Sequence, residues 1–301
     1  MEIKPYAPSM LPALAELYNQ TVAGLPHCYP VSPEVFAKIV LNERDDEQRA
    51  SLMRSQQILV ARDDRCLLGF ADAAVGRLEE PNSPEQGIIR FFCYGIEHRP
   101  VGQALLQGAE EYLRDLGISE VVAFHQDFAY PFYHLPHAYL SDRVAHVHAL
   151  FGINGYRPSA GEVFLDWPDY LVVEPGLPGV DAEIVLEWKE GEGQRPNLVV
   201  LANRPDEEWL GVCENRSAGR PWRPREAEDW FHTHWLGVSR PYRRKGLARY
   251  LLRRTFSEMR ARGYRNAAIS TAWDNFAALL LYCSFGYRVV DWTYALTRAL
   301  D

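Results

Sequence analysis

The sequence predicts an α/β (α+β) protein built as two copies of one strand-and-helix unit. Three observations carry this reading. Runs rich in β-branched and aromatic residues alternate with apolar runs at helical spacing along the 301 residues. Glycines in similar settings recur at one spacing. Gly69 (Leu-Leu-Gly-Phe) and Gly211 (Trp-Leu-Gly-Val), and Gly95 (Tyr-Gly-Ile) and Gly237 (Leu-Gly-Val), are each 142 residues apart (211 − 69, 237 − 95). Between the copies, Pro168 to Val180 holds Pro175-Gly-Leu-Pro-Gly179 and reads as a linker. Domains are expected at 1–168 and 181–301, joined by 169–180.

In the first copy, Met1 to Ala7 reads as a strand. Ser9 to Thr21 reads as a helix, because Leu11, Leu14, Leu17 and Tyr18 share a face. Ser32-Pro33 is a helix start, with Ser as cap and Pro at the first position. The charged segment Asn42 to Arg54 is expected to be helical. Three strands follow (Gln57–Arg62, Cys66–Arg77, Gly87–Ile96), then a helix from Gly102 to Leu116 stopped by Gly117. Ser119–Phe124 is a strand and Asp142–Phe151 a helix. A last strand pair ends near Trp167.

In the second copy, strands are expected at Ala182–Lys189, Asn197–Asn203, Glu208–Glu214 and Trp230–Val238. A helix follows from Leu247 to about Arg262, then a strand at Asn266–Thr271, a helix at Asn275–Phe285 and a strand at Arg288–Arg298. About fifty residues separate the first two strands of the first copy. Only Glu190–Pro196 separates those of the second, so two early helices are expected to be missing there.

Composition narrows the function classes. A net charge of −8 argues against a basic face for nucleic acid or acidic membrane. The five cysteines are odd in number and form no CxxC pair. This reads as reduced thiols and a cytoplasmic protein. No apolar run approaches the 18 residues of a membrane span, and no export signal is visible. Oligomeric state is left open.

The most informative stretch runs from His232 to Ala248. A strand, Trp230–Val238, passes through the basic turn Arg243-Arg-Lys-Gly246-Leu-Ala248 into a helix. Such a turn aims several backbone N–H groups at one point, at the positive end of the helix dipole. Gly246 and Ala248 are small enough for a ligand to approach the backbone closely. The geometry suits a pyrophosphate. His232 and His234, two apart on a strand, are expected to face the same side.

This half resembles the GNAT superfamily of N-acetyltransferases. Arg243-x-x-Gly246-x-Ala248 is similar to that family's acyl-CoA loop. Asn275-x-x-Ala278-x-x-x-Tyr282-x-x-x-Gly286-Tyr287 is similar to its second signature, whose last position is more often Phe. The two occur in the family's order and strand–helix context. The resemblance implies a tandem GNAT fold, two mixed, mostly antiparallel sheets flanked by helices. It implies transfer of an acetyl group from acetyl-CoA, the cosubstrate, to a small primary amine. Arg243, Arg244, Lys245, Gly246, Leu247 and Ala248 would hold the pyrophosphate. Leu236, Gly237 and Val238 would pair with the pantetheine arm, and Asn275 would hydrogen-bond it. The spacing around His232 and His234 resembles the fourth strand of serotonin (arylalkylamine) N-acetyltransferases, which implies proton removal by this pair. Tyr282 would protonate the leaving thiolate. Glu214 and Asp229 are substitute bases. The rival readings are a longer acyl-CoA, a hydroxyl acceptor, an acyl-CoA-binding regulatory module without turnover, and nucleic-acid binding through the Arg-rich helix.

Matched by the 142 spacing, His232 and His234 fall on Arg90 and Phe92. The turn near Gly102 then looks two residues shorter, with the counterpart of Arg243 deleted. By the 131 spacing of Gly155 and Gly286, Tyr282 becomes Phe151 and Asn275 becomes Val144. The first copy is therefore expected to be non-catalytic. His134, His137, His146 and His148 lack a completing Cys or carboxylate set, so no metal is assigned. The aromatic insert Gln126–Tyr139 is expected either to wall the acceptor pocket or to plug a domain interface.

Overall fold

The computed structural model describes residues 1–41, 53–63, 66–79, 83–205 and 207–300. The chain divides into two compact units, Met1–Glu162 with Asp291–Asp301, and Val163–Val290. In the first unit β1 (Glu2–Pro5), β2 (Met53–Arg62), β3 (Leu67–Gly76), β4 (Gln86–Tyr94) and β5 (Glu120–Ala123) lie side by side in that order. Neighbours run antiparallel except β4 and β5, which are parallel. Beyond β5 lies the C-terminal part of β13 (Arg288–Ala299), which also pairs with the short β6 (Leu140–Ser141).

One face of this sheet carries α1 (Leu11–Val22) and the turn of helix α2 (Pro33–Phe36). Leu14, Tyr18 and Val22, four apart, are the buried stripe of α1. Ser32 caps α2, its Oγ accepting from the Val35 amide at 3.3 Å. The other face carries α3 (Arg99–Asp115), whose Leu105 lies so close over Gly69 that a Cβ there would stand 2.9 Å from it. After α3 the chain forms β5 and then α4 (Ala145–Ile153). Of the expected helix 42–54, residues 42–52 lie outside the described residues, and Met53 and Arg54 open β2. The expected last strand pair is one continuous strand, β7 (Arg157–Trp167).

The insert contributes Phe128, Tyr130 and Phe132, all fully buried. Tyr130 stacks on Phe91 at 5.4 Å and Phe132 meets Tyr18 edge-on at 4.9 Å. Such pairs add about 0.5–1.5 kcal/mol each beyond area burial. These rings fill the first unit's own sheet face. Three of the four clustered histidines make separate contacts. His134 Nε2 lies 3.4 Å from Asp291, and His146 Nε2 donates to the Tyr94 carbonyl at 3.1 Å.

His148 Nε2 lies 3.2 and 3.1 Å from the Leu140 and Ser141 carbonyls, so this nitrogen must carry the proton. Burial pushes the ring below its ordinary value of 6.5, against the pull of those carbonyls. The unfolded chain then binds the proton more tightly between the folded and unfolded values. The stabilisation is complete above about 6.5 and is lost as pH falls below it, by up to about 1.4 kcal/mol per pH unit. Urea midpoints measured at pH 7.5 and pH 5 should therefore differ less in His148→Gln than in the natural protein.

The second unit repeats the plan. β8 (Glu183–Lys189), β9 (Asn197–Arg204), β10 (Glu207–Ser217), β11 (Trp230–Val238) and β12 (Asn266–Ala272) lie in that order, followed by the end of β7. Glu190–Pro196 alone joins β8 to β9, without a helix. Helix α5 (Leu247–Ala261) buries Leu247, Leu251, Leu252, Phe256 and Met259. Helix α6 (Phe276–Cys283) precedes β13. The seams between units fall inside β7 and β13 rather than in the Pro/Gly-rich stretch. That stretch has no regular structure, but Tyr170 at its start is buried. Its hydroxyl donates to the Phe256 carbonyl at 3.2 Å, and its ring packs on Phe231 and Phe256. Among the described residues no helix is long and apolar enough to cross a membrane.

Candidate functional site

The site begins where two strands part. β11 and β12 are parallel and pair from Trp230↔Asn266 to Thr233↔Ile269. Pairing of β11 with β10 on its other side continues to Gly211↔Val238. The edge of Trp235–Val238 that faces β12 thus runs beyond the paired region. A bulge explains the change of course. Asn215 pairs with Thr233 and Glu214 with Trp235, so His234 is the extra residue. A bulge bends its strand and re-aims the side chain it carries.

Asn215 and Thr233 face α5, since Asn215 Nδ2 donates to Thr255 Oγ1 at 3.2 Å and Thr233 Oγ1 donates to Asn215 Oδ1 at 2.9 Å. His232, one residue earlier, therefore faces the opposite side. It is 1% exposed, and its ring lies against Phe164 at 6.4 Å with 27° between planes. His234 is half-buried, its ring 6.4 Å from that of His232. The two rings come together as the spacing predicts, although the bulge interrupts simple alternation.

After β11 the chain makes a turn at Arg240–Tyr242 and enters α5 through two left-handed residues, Arg244 (φ 62°) and Gly246 (φ 88°). Gly246 is the N-cap of α5. A Cβ there would meet nothing within 4 Å, so the left-handed conformation, not crowding, favours glycine. The space over the helix end stays open. Arg243 Nε donates to the Val238 carbonyl at 2.9 Å and braces the turn against the strand. An open concavity results, lined by Val238, Arg243, Arg244, Gly246, Leu247 and Ala248, with Tyr242, Arg249 and Leu281. A helix N-terminus beside several guanidinium groups is the donor set a pyrophosphate needs.

Six of the ten expected binding residues thus line one space. Lys245 instead lies with its Nζ 5.4 Å from the Tyr242 ring centroid. Asn275 caps α6, its Oδ1 accepting from the Ala278 amide at 3.3 Å. Two turns later Tyr282 is buried, its ring 6.2 Å from that of Tyr287. Glu214 is paired with Arg216 at 2.8 Å, and Asp229 with Arg195 at 2.9 Å. Tyr242 and Leu281 were not expected. Nothing in the spacing of the motif marks either one, although Leu281 directly precedes Tyr282.

The first copy has the same skeleton, which corrects the comparison of the two. Gly69 pairs with Tyr94, and the irregularity after Asp72 leaves Arg90 as the extra residue, between Phe91 and Ile89. With Gly69 matched to Gly211, Tyr94 matches Val238, and the bulge residue Arg90 matches His234, 144 positions apart (238 − 94, 234 − 90). His232 matches Ile88, not Arg90, and His234 matches Arg90, not Phe92. The two-residue difference therefore lies in the connection before β4. Nothing is deleted near Gly102, which matches Gly246, while Arg99 matches Arg243.

The cradle is nevertheless absent from the first copy. Residues 99–102 are already wound into α3, with Pro100 in its first turn. The ring of Tyr94 lies over Gly102, where a Cβ would stand 2.7 Å from Cε1. Tyr94 is tied to α4 through its hydroxyl, which donates to the His146 carbonyl at 3.0 Å. The bulge is occupied too. Arg90 NH1 contacts Asp72 at 3.3 Å, both side chains fully buried, under the ring of Tyr130. At the positions of Asn275 and Tyr282, Val144 is the N-cap of α4, with no side-chain capping bond, and Phe151 is fully buried.

Comparison with known proteins agrees with this geometry. The acetyltransferase (GNAT) family model matches residues 165–287. A GCN5-related glucosamine N-acetyltransferase region of a fungal multi-domain β-N-acetylglucosaminidase superposes with a TM-score of 0.68 at 14% identity, covering 99% of this chain and 38% of that one. The chain thus spans well under half of that protein. A tandem GNAT protein from the clavulanic acid biosynthesis pathway superposes with a TM-score of 0.66 at 15% identity, covering 99% and 98%. A GCN5-related N-acetyltransferase from Sphaerobacter thermophilus gives 0.59 at 18%, covering 99% and 95%. A search of curated sequences found no match.

Proposed function

The chain is a member of the GNAT acetyltransferase superfamily with two GNAT-fold domains, and on that premise we propose that its second copy transfers an acetyl group from acetyl-CoA to a small primary amine. The observation that carries the reading is the coincidence, in one copy, of the open cradle at the α5 N-terminus with a histidine in the strand bulge. Bound there, acetyl-CoA supplies an activated thioester carbonyl. Arg243, Arg244 and the first amides of α5 bind its pyrophosphate, and the freed edge of Leu236–Val238 pairs with its amide-bearing arm.

The amine must lose a proton as its nitrogen bonds to the carbonyl carbon, and the departing sulfur must gain one. His234 takes the first proton, with His232 behind it as the next acceptor through water. Tyr282 gives the second. The first copy has neither cradle nor base and serves as scaffold.

The reading is tested by calorimetric titration with acetyl-CoA and by thiol release against a panel of amines. Binding together with amine-dependent thiol release is expected. Gly246→Val is expected to weaken binding about tenfold or more, because a β-branched residue resists the left-handed turn and crowds the cradle. Binding without release across the panel would favour a regulatory acyl-CoA-binding module instead.

A further inference from the structure

A groove opens beside the cradle, lined by the Pro/Gly-rich stretch, α5 and the residues that end α6. It shares the side chain of Arg249 with the cradle. That side chain is fixed. Arg249 NH2 donates to Ser284 Oγ at 2.9 Å, and its guanidinium carbon lies 4.9 Å from the Phe285 centroid. Arg253, about one turn further along α5, also lines the groove. Among the described residues it makes no hydrogen bond, ion pair or ring contact. Side chains on a helix lean toward its N-terminus, so Arg253 leans toward Arg249 and the cradle. Trp167 and Phe285, their centroids 6.4 Å apart, give the groove aromatic surface. Leu171 and Val173 give it an aliphatic wall, although they are 69% and 50% exposed. The stretch that carries them is held at both ends. Tyr170 is buried against α5, and Gly179 takes a left-handed turn (φ 74°) so close to the Lys245 carbonyl that a Cβ there would collide with it.

We propose that the Pro/Gly-rich stretch between the copies completes the donor site: the groove seats the adenosine end of the donor, and Arg253 reads the phosphate on its ribose 3′-oxygen. The proposal rests on the acetyl-transfer reading above and adds a donor specificity to it. A donor held by its pyrophosphate at the α5 N-terminus carries its adenosine on the side of that pyrophosphate away from the thioester. One ribose separates the pyrophosphate from the 3′-phosphate. Along α5, Arg253 starts about 10 Å from Gly246, and the lean of its side chain shortens that gap. Arg249 is not the reader, because its guanidinium is already committed to Ser284 and Phe285. Arg253 is uncommitted among the described residues and has a full set of donors to give. A flat base has Trp167, Leu171 and Val173 to lie on, and covering the two aliphatic side chains removes apolar surface from water. The first copy joins the matching helices without such a cation. Where α3 meets the end of α4, Gln103 Nε2 donates to Asn154 Oδ1 at 2.9 Å. Arg253 is thus a specificity-determining residue for the donor, and Leu171 and Val173 give the stretch between the copies a part in binding.

The test is calorimetric titration of the full chain with CoA and with dephospho-CoA, which differ only in the 3′-phosphate. The titration reads binding whether or not an amine is turned over. CoA is expected to bind more tightly by about tenfold or more, the difference that a charge-assisted phosphate contact makes. Arg253→Ala should bring CoA down to the affinity of dephospho-CoA and leave dephospho-CoA unchanged. Leu171→Ser with Val173→Ser should weaken both nucleotides alike, by about tenfold, and keep the preference between them. Both residues are exposed, so this variant is expected to keep the natural unfolding midpoint. Equal affinity for CoA and dephospho-CoA, a preference that survives Arg253→Ala, or unchanged binding in the double variant overturns the seat while leaving the cradle and acetyl transfer standing. No binding of CoA to the natural protein overturns the cradle and the seat together.

Discussion

His234→Ala is expected to lower kcat by about 10²–10⁴-fold, the range over which a positioned general base contributes, and to leave acetyl-CoA affinity unchanged. The binding cradle begins beyond the bulge, at Val238 and Arg243, and takes nothing from the His234 ring. The loss should therefore appear in turnover and not in a titration with acetyl-CoA. His232→Ala is expected to behave differently. Its ring is buried against Phe164, so its removal should lower the unfolding midpoint as well as turnover. Tyr282→Phe should lower kcat by about 10²-fold while preserving the packing against Tyr287. Full turnover in His234→Ala would remove the base from this mechanism.

The periodic parts of the fold were legible in the sequence. Strand β11 spans Trp230–Val238 as its aromatic and β-branched run indicates, and α5 buries the five residues whose spacing marked it. Ser32 caps where a Ser-Pro pair should. Legibility failed where geometry is set by partners. A strand pair was expected to end near Trp167, yet one strand, β7, runs through Pro158 and Gly161. The helix expected from Gly102 begins earlier, at Arg99, because Pro100 suits the first turn of a helix and Gly102 is tolerated under the Tyr94 ring.

The site was legible as chemistry and less so as register. Both signatures survive as a cradle and a helix cap. The pairing of the copies slipped by two residues in β4, because Gly95 and Gly237 have similar neighbours but different roles. Gly237 lies beneath two indoles, whereas a Cβ on Gly95 would meet the His98 ring. Only the ladder of paired strands shows that each copy has a bulge, with Arg90 in one and His234 in the other. A bulge has no composition of its own, so strand alternation alone could not have located it.

That single exchange predicts the largest effect on stability. Arg90→Leu is expected to destabilise the first unit by about 3–5 kcal/mol, the cost of leaving one partner of a buried ion pair behind. Asp72 would lose Arg90 NH1 at 3.3 Å and keep the Tyr130 hydroxyl at 2.8 Å and Gln56 Nε2 at 3.0 Å. Burial already raises the Asp72 pKa, and the Arg90 charge is the chief force opposing it. Without that charge the folded carboxyl moves further up, so the folded state holds the proton more tightly than the unfolded chain. The loss in Arg90→Leu should then be smallest at low pH and grow as pH rises through the folded value. Replacing both partners, Asp72→Leu with Arg90→Met, should recover most of the stability, because no unpaired charge remains. Hydrogen exchange of β3 and β4 amides in the full chain reads these differences locally. Recovery in the double variant would show that the bulge tolerates an apolar filling and needs its cation only because Asp72 is present. If the double variant is as unstable as Arg90→Leu, the cation is instead a structural requirement of the fold at this point, and the histidine of the second copy becomes the departure that has to be explained.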